Sequence, residues 1–474
     1  MRPLEVILFL ALFSLLIPFP DKLRRLALFG LGAFTDSVLV AHLLFEGYRW
    51  QMAPAYALSV LLVAVRFVIF RRQALSRAWV ALLGRGVGFL LVVVALLPPV
   101  IFPVPRLPEP GGPYQVGVVT FQWTDPTRTE QYNPDPDPAN PADQREVMVQ
   151  IWYPAVPAQG QVSAPWMDRL DVVGPAIAHY LRLPGFFLDH AGLVGTHAYA
   201  NAPVDTSGGR FPVIIYSHGW NGFRTVNLNQ SEALASHGYI VAAIDHTYGA
   251  MVTVFADGRV ALNNPAILPE GPTDGRYYAS ARQVEATFAA DVSFVLDQLA
   301  RLDSGAIVSP LAGQVDVTRA GFFGHSTGGG AVVMACQQDP RCQAGLTMDA
   351  WLRPFDEEWL ARPLTQPFLF MRSEVWASPE NDANLDRVIA GLQSPGYRLT
   401  VLGTRHYDFT LLPLLTPLAP ALGLKGPLEG QRTLEVISDY LVAFFDQHLK
   451  GEDQPLLDGP SEAYPEVEFQ RFEP

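Results

Sequence analysis

The chain has 474 residues and a formal net charge of −13. That acidic balance, with no basic stripe, zinc-finger spacing or RNA-binding signature, excludes a broad nucleic-acid surface. The length leaves room for two or three units around at least one large core. The positive mean hydropathy of +0.16 comes mainly from one end.

Residues 1–103 read as a membrane region. Four apolar stretches, at about 4–19, 26–45, 52–70 and 79–102, each approach the roughly 20 residues that a helix needs to cross the hydrocarbon. A cleaved signal peptide would explain the first stretch and not the other three. Lys22, Arg24 and Arg25 lie between the first two stretches, and Arg71, Arg72 and Arg77 between the last two, whereas the intervening loop has Arg49 offset by Glu46. The positive-inside rule puts the two basic loops in the cytoplasm and the large C-terminal part outside. Asp36, His42, Arg66 and Arg85 fall within the stretches, where snorkelling and helix pairing account for them.

A Pro/Gly-rich linker follows at 104–114, with Pro105, Pro108 and Pro110-Gly111-Gly112-Pro113. A second, larger domain is then expected over 115–474. Strand-like runs at 116–121 and 147–153 flank the polar loop Asn133-Pro134-Asp135-Pro136-Asp137-Pro138. Residues 160–200 mix aromatic, small and polar types and read as an insertion or lid. From there strands and helices alternate. Strands are predicted at 211–216, 239–244, 319–323, 344–348, 368–371 and 398–402, and helices at 228–236, 279–302 and 434–449. This alternation implies an α/β architecture with a mostly parallel sheet covered on both faces, preceded by the all-α membrane region.

One pattern carries chemistry. Gly324-His325-Ser326-Thr327-Gly328 follows the apolar run Ala320-Gly321-Phe322-Phe323 and precedes Gly329-Gly330-Ala331-Val332-Val333-Met334. G-x-S-x-G between a strand and a helix holds a serine exposed on a tight turn, as at the nucleophile elbow of α/β-hydrolases. A phosphate loop is excluded because the G-x-x-x-x-G-K-[ST] pattern is missing. Serine needs a base, and the base needs an acid to orient it. In this fold the chain order is Ser, then Asp/Glu, then His. His448 sits in a helical run, which leaves His406, in the loop after the strand at 398–402. Two carboxylates end the intervening strands, Asp349 and Glu374, and the spacing leaves both open. The oxyanion hole calls for backbone N–H groups. Thr327, after the nucleophile, is one donor, and Trp220, in the loop Ser217-His218-Gly219-Trp220-Asn221-Gly222, is the other. The chain order excludes His218 and His325 as the base, so they are expected to pack beneath the loops. Asp245-His246 has no third ligand at metal spacing, and no metal or other cofactor is called for. Cys336 and Cys342 are as consistent with two buried thiols as with a short disulfide.

These segments resemble the platelet-activating factor acetylhydrolases of the plasma and intracellular type II kind. The resemblance runs through Tyr216-Ser217-His218-Gly219 with Phe223-Arg224, Ala235-Ser236-His237-Gly238-Tyr239, Gly324-His325-Ser326-Thr327-Gly328-Gly329, Met348-Asp349-Ala350-Trp351, Pro367-Phe368-Leu369-Phe370 with Ser373-Glu374, and His406-Tyr407-Asp408-Phe409. It covers roughly 114–455 in consistent order. It implies Ser326 as nucleophile, Asp349 rather than Glu374 as acid, His406 as base, and oxyanion donors at Trp220 and Thr327, where the family usually has Leu and Phe. The expected function is a membrane-anchored serine esterase acting on short or oxidised acyl groups, with phospholipid or another small ester as substrate. Alternatives are an esterase of a different ester, such as a polyester, and a non-enzymatic membrane scaffold.

Overall fold

The computed structural model describes residues 1–72, 78–135, 143–269, 274–376 and 378–473. The chain divides into two compact units. One takes in Met1–Pro105 with Asp189–Leu193 and Leu415–Leu418, and the other takes in the remainder.

Among its described residues the first unit contains four α-helices, α1 (Pro3–Ser14), α2 (Asp21–Phe45), α3 (Ala53–Arg72) and α4 (Ala78–Ile101). Leu8, Leu12, Val38, Met52, Ala55 and Val92 form its buried core. The ion pair of Glu5 with Arg49 is fully buried, with both contacts at 2.7 Å.

The expectation of four membrane spans needs correction. Among the described residues only one stretch, Leu82–Ile101, is long and apolar enough to cross a membrane by length and composition. Helix α1 has 12 residues, a rise of about 18 Å against a core of about 30 Å, and Pro18 and Pro20 close off any extension. Helix α2 opens on Asp21-Lys22-Leu23-Arg24-Arg25, which leaves the shorter apolar length Phe29–Phe45. Lys22, Arg24 and Arg25 are therefore helical, not in a loop, and Arg71 and Arg72 end α3. The side chains of all five, and Arg77 entirely, lie outside the described residues.

In the second unit the elements in chain order are β1 (Gln115–Thr129), β2 (Gln144–Ala155), α5 (Leu170–Tyr180), β3 (Ala198–Ala200), β4 (Phe211–Ser217), α6 (Leu228–Ser236), β5 (Ile240–Asp245), the hairpin β6 (Val252–Val254) and β7 (Val260–Leu262), α7 (Gly275–Asp303), β8 (Val315–His325), α8 (Thr327–Gln338), β9 (Cys342–Met348), the short α9 (Glu357–Leu360), β10 (Phe368–Val375), α10 (Pro379–Ala390), β11 (Gly396–Arg405), α11 (Gly430–Phe445) and β12 (Val467–Phe472). Among the described residues ten strands form one sheet in the order β12-β11-β10-β9-β8-β4-β5-β2-β1-β3. The run from β11 to β5 is parallel, and β12 and β2 join it antiparallel.

Residue alternation sorts the layers. Phe322 of β8 and Ile215 of β4 face α7, where Val284, Phe288, Val292 and Val295 fall at helical spacing in the main core. Gly321, one residue earlier, faces Phe445 at the end of α11. Residues 160–200 hold α5, a 3-10 segment (Gly185–Leu193) and β3, which pairs parallel with β1. Cys336 of α8 and Cys342 of β9 are joined in a disulfide, which resolves the alternative left open by the sequence.

Candidate active site

The parallel strands deliver the site to one edge of the sheet. Ser217 of β4 lies in register with Gly324 of β8, His325 of β8 with Met348 of β9, and Met348 with Met371 of β10. The residues that follow β8, β9 and β11 are Ser326, Asp349 and His406.

Ser326 precedes the first turn of α8 with φ 57° and ψ −121°, a left-handed conformation that an L-residue resists. Three backbone hydrogen bonds hold it there. Its N–H donates to Met348 O (3.0 Å), and its carbonyl accepts from Gly330 N (3.1 Å) and Trp351 N (3.0 Å). Crowding explains the flanking glycines. A Cβ on Gly324 would lie 2.3 Å from Gly328 O, and one on Gly328 would lie 2.1 Å from Ser217 O.

Asp349 also has positive φ, 47°, and is buried. Its Oδ1 accepts from Ser373 N (2.8 Å), and its Oδ2 accepts from Ser373 Oγ (2.6 Å) and faces His406 Nδ1 at 3.0 Å. A carboxylate so placed fixes the imidazole with its proton on Nδ1 and leaves Nε2 free to act as a base. The other candidate acid, Glu374, turns elsewhere, its Oε2 accepting from Gly403 N at 2.6 Å. His406 lies between two rings. Trp376 stacks on it with centroids 4.3 Å apart, and His325 sits 4.4 Å from it. Among the described residues Ser326 Oγ makes no hydrogen bond to His406, a contact that in ligand-free hydrolases often tightens only on substrate binding.

His325 is buried, and its Nε2–H donates to the carbonyl of His406 at 3.0 Å. Burial holds its pKa well below the ordinary value, with the His406 charge acting in the same direction, so it serves as a neutral prop. Thr327 is the first residue of α8, directly after Ser326, and Trp220 follows Gly219, where an added Cβ would lie 2.9 Å from the Ser326 Cβ. Among the described residues neither backbone N–H donates to another group. His218 is also buried, with Nδ1–H donating to Gly219 O at 2.7 Å.

A profile of the family described as platelet-activating factor acetylhydrolase, isoform II, matches residues 101–459. The chain belongs to this family. A platelet-activating factor acetylhydrolase of Canis lupus familiaris is 29% identical over 57% of this chain. The chain spans 65% of that relative's length. A probable 1-alkyl-2-acetylglycerophosphocholine esterase of Arthroderma benhamiae is 26% identical over 77% of this chain and 93% of its own. Among solved structures, a ferulic acid esterase from Streptomyces cinnamoneus superposes with a TM-score of 0.63 at 28% identity, covering 77% of this chain and 99% of its own. The sheet described above is thus an α/β-hydrolase sheet.

At this candidate site, sequence reading brought out Ser326, His406 and both candidate acids but gave no role to Ser373, Trp376 or Glu285. Ser373 lies within β10 and Trp376 directly after it, and no short motif marks them. Glu285 is a carboxyl at a core-facing position of α7, a conflict with the helix's apolar stripe that the sequence does display. It packs against Gly330 of α8, and among the described residues its oxygens have no hydrogen-bond partner. Burial raises its pKa well above the ordinary value. A folded-state pKa that is raised adds stability below the unfolded-state value, and that stability is lost as pH climbs toward the folded-state value. Glu285→Gln removes this loss. The variant's unfolding free energy relative to wild type should therefore rise between pH 5 and pH 8, with a slope of up to about 1.4 kcal/mol per pH unit. Thermal unfolding at several pH values checks this, and a pH-independent difference would contradict it.

Proposed function

We propose that this protein is a serine esterase that hydrolyses short or oxidised acyl esters of phospholipids. In this reading Ser326 is the nucleophile, His406 the base and Asp349 the orienting acid, with the Trp220 and Thr327 N–H groups as oxyanion donors. The observation that carries it is the 3.0 Å contact of Asp349 with His406 beside a serine held on a left-handed turn. The names of the dog and fungal relatives support the substrate class.

The chemistry follows from the donor set. His406 Nε2 takes the proton of Ser326 Oγ as the oxygen attacks the ester carbonyl, and Asp349 stabilises the resulting imidazolium. Negative charge develops on the carbonyl oxygen, where the two N–H groups await it. The imidazolium protonates the departing alcohol or lysolipid, and water then releases the acyl group by the same steps in reverse. All of these roles fall to residues of this chain.

Attachment to a membrane is part of the proposal. It is supported by the span Leu82–Ile101 and by Phe29, Leu44 and Phe45, which are 76%, 74% and 83% exposed on the first unit. The disulfide favours an extracytoplasmic catalytic domain. Protease added to intact cells should digest that domain, and full protection would overturn the topology.

A second reading, the hydrolysis of another ester by the same residues, is favoured by the likeness to the ferulic acid esterase. An acyl series of p-nitrophenyl esters, run beside an sn-2-acetyl phospholipid and methyl ferulate, separates the two. Turnover that collapses beyond short chains, with the phospholipid accepted, supports the first reading. Preference for the ferulate overturns it.

A further inference from the structure

The pair Asp245-His246, at the end of β5, is buried and is not used by the mechanism. Its two side chains diverge, which rules out a shared metal. His246 is fully buried. Its Nδ1 faces Asp291 Oδ2 of α7 at 2.9 Å, and its Nε2 faces Ser217 Oγ of β4 at 2.8 Å. The carboxylate fixes the proton on Nδ1, so Nε2 accepts the Ser217 hydroxyl. The ring stacks on Phe288 with centroids 3.8 Å apart. Burial pushes its pKa down to about 3, so this ring is neutral. Asp291 is in turn gripped by Arg145 through contacts of 2.7 and 3.2 Å.

This is a second Ser-His-Asp array, and Ser217, His246 and Asp291 are all 0% exposed. No ester can reach it, so its role has to be sought in what it holds. Its serine is the last residue of β4, three positions before Trp220. The backbone N–H of His246 donates to His218 Nε2 (3.2 Å), and His218 Nδ1–H donates to Gly219 O (2.7 Å). The neighbouring Asp245 takes the far side of the same loop. Its Oδ1 accepts from Arg224 N at 2.6 Å, and its Oδ2 pairs with the Arg224 guanidinium. One dipeptide thus grips residues 217–224 at both ends.

We infer that Asp245-His246 is a clamp that positions the Trp220 N–H for the developing oxyanion, which makes His246 a positioning residue for the reaction. This rests on the oxyanion donors proposed above. The physical reason is the steep distance dependence of oxyanion stabilisation. A donor displaced by about 1 Å costs on the order of 10²-fold in rate, and ground-state binding does not depend on it.

The test is His246→Phe in the full-length protein, assayed on p-nitrophenyl acetate beside Ser326→Ala. His246→Phe keeps a ring against Phe288 and the backbone N–H to His218 but loses both side-chain hydrogen bonds. The expected result is a fall in kcat of about 10²-fold with KM changed less than about threefold. The inhibition constant of an aryl trifluoromethyl ketone, whose hemiketal oxygen occupies the same hole, should weaken in proportion to kcat. A folded His246→Phe variant with wild-type kcat, or one in which KM alone moves, overturns the clamp. Should that variant not fold, Ser217→Ala decides by removing only the hydroxyl: a fall in kcat of about tenfold, with matching loss of ketone affinity, is expected, and unchanged kcat overturns the inference. Ser326→Ala separates the two levels. If it is inactive the site reading stands whatever the clamp does, and if it turns over like wild type the site reading itself has failed.

Discussion

Ser326→Ala should lower ester turnover by about 10⁶-fold, His406→Ala by a similar factor and Asp349→Asn by about 10⁴-fold, with Glu374→Gln within a few-fold of wild type. The order follows from what each side chain touches. Without Oγ no acyl-enzyme forms. Without His406 no group at the sheet edge takes the serine proton. Asp349→Asn keeps the shape but puts an amide opposite Nδ1, which favours the tautomer that carries its proton on Nε2, where the base is needed. Ser373 N would keep an oxygen acceptor and the Ser373 hydroxyl would turn to accept from the amide nitrogen, which holds the amide in that orientation. Glu374 caps the turn at Gly403 and does not meet the imidazole. Steady-state kinetics on a short-chain p-nitrophenyl ester check the set. Wild-type rates in Ser326→Ala would sink the nucleophile assignment, and a near-normal Asp349→Asn beside an inactive Glu374→Gln would exchange the acids.

The largest stability effect is expected from Arg145→Leu. Arg145 is 2% exposed. It forks onto Asp291, reaches Glu130 Oε2 at 2.8 Å and donates to Thr247 O at 2.8 Å. Its removal strands carboxylates in a site where water cannot replace it. Breaking one side of such a buried pair typically costs about 3–5 kcal/mol. Arg128 Nη2, 2.8 Å from Asp291, compensates only in part. Arg145→Lys should fall between, because an ammonium keeps the charge but not the planar fork. By contrast, the exposed Arg169–Asp171 pair should give no measurable change when either member is replaced by alanine. Denaturant unfolding of these variants is the check. An Arg145→Leu protein within 1 kcal/mol of wild type, an equilibrium ratio of about fivefold, would mean that the network contributes little to folding.

Much of the fold could be read from residue order because its signals are local. Helix α6 falls at Leu228–Ser236, where the sequence places it, since His237-Gly238 is a clear stop. The elbow was legible because its glycines, strand and helix sit within one window. Helix α10 was missed although Ser378-Pro379 is a regular start signal, and the Ser378 side chain accepts from Asn381 N. Strand β12 was missed because it sits at the sheet edge and pairs with β11, a pairing set by tertiary contact. At the site, spacing nominated Asp349 and Glu374 equally. What separates them in space is that β9, two strands from β11, puts Asp349 against His406, while Glu374 turns to Gly403. The N-terminal region was over-read as four spans because apolar length was counted without the prolines and charges that end its helices. Ser373, Trp376 and the grip of Asp245-His246 on the loop depend on meetings between distant segments, and local pattern carries no trace of these.

Ser326 and Asp349 share an awkward backbone, with φ of 57° and 47°. Such shapes cost roughly 1–3 kcal/mol each, and glycine at either position would relieve that cost. The two residues assigned to attack and orientation are therefore also two places where the chain carries strain that their loss would release, in full at Ser326 and in part at Asp349, whose carboxylate holds the buried Ser373 donors. Laboratory evolution that rewards only survival of heat would push the protein toward a sturdier and silent form, with these two codons among the first to change. A screen for durable variants would have to demand turnover in every round to keep them.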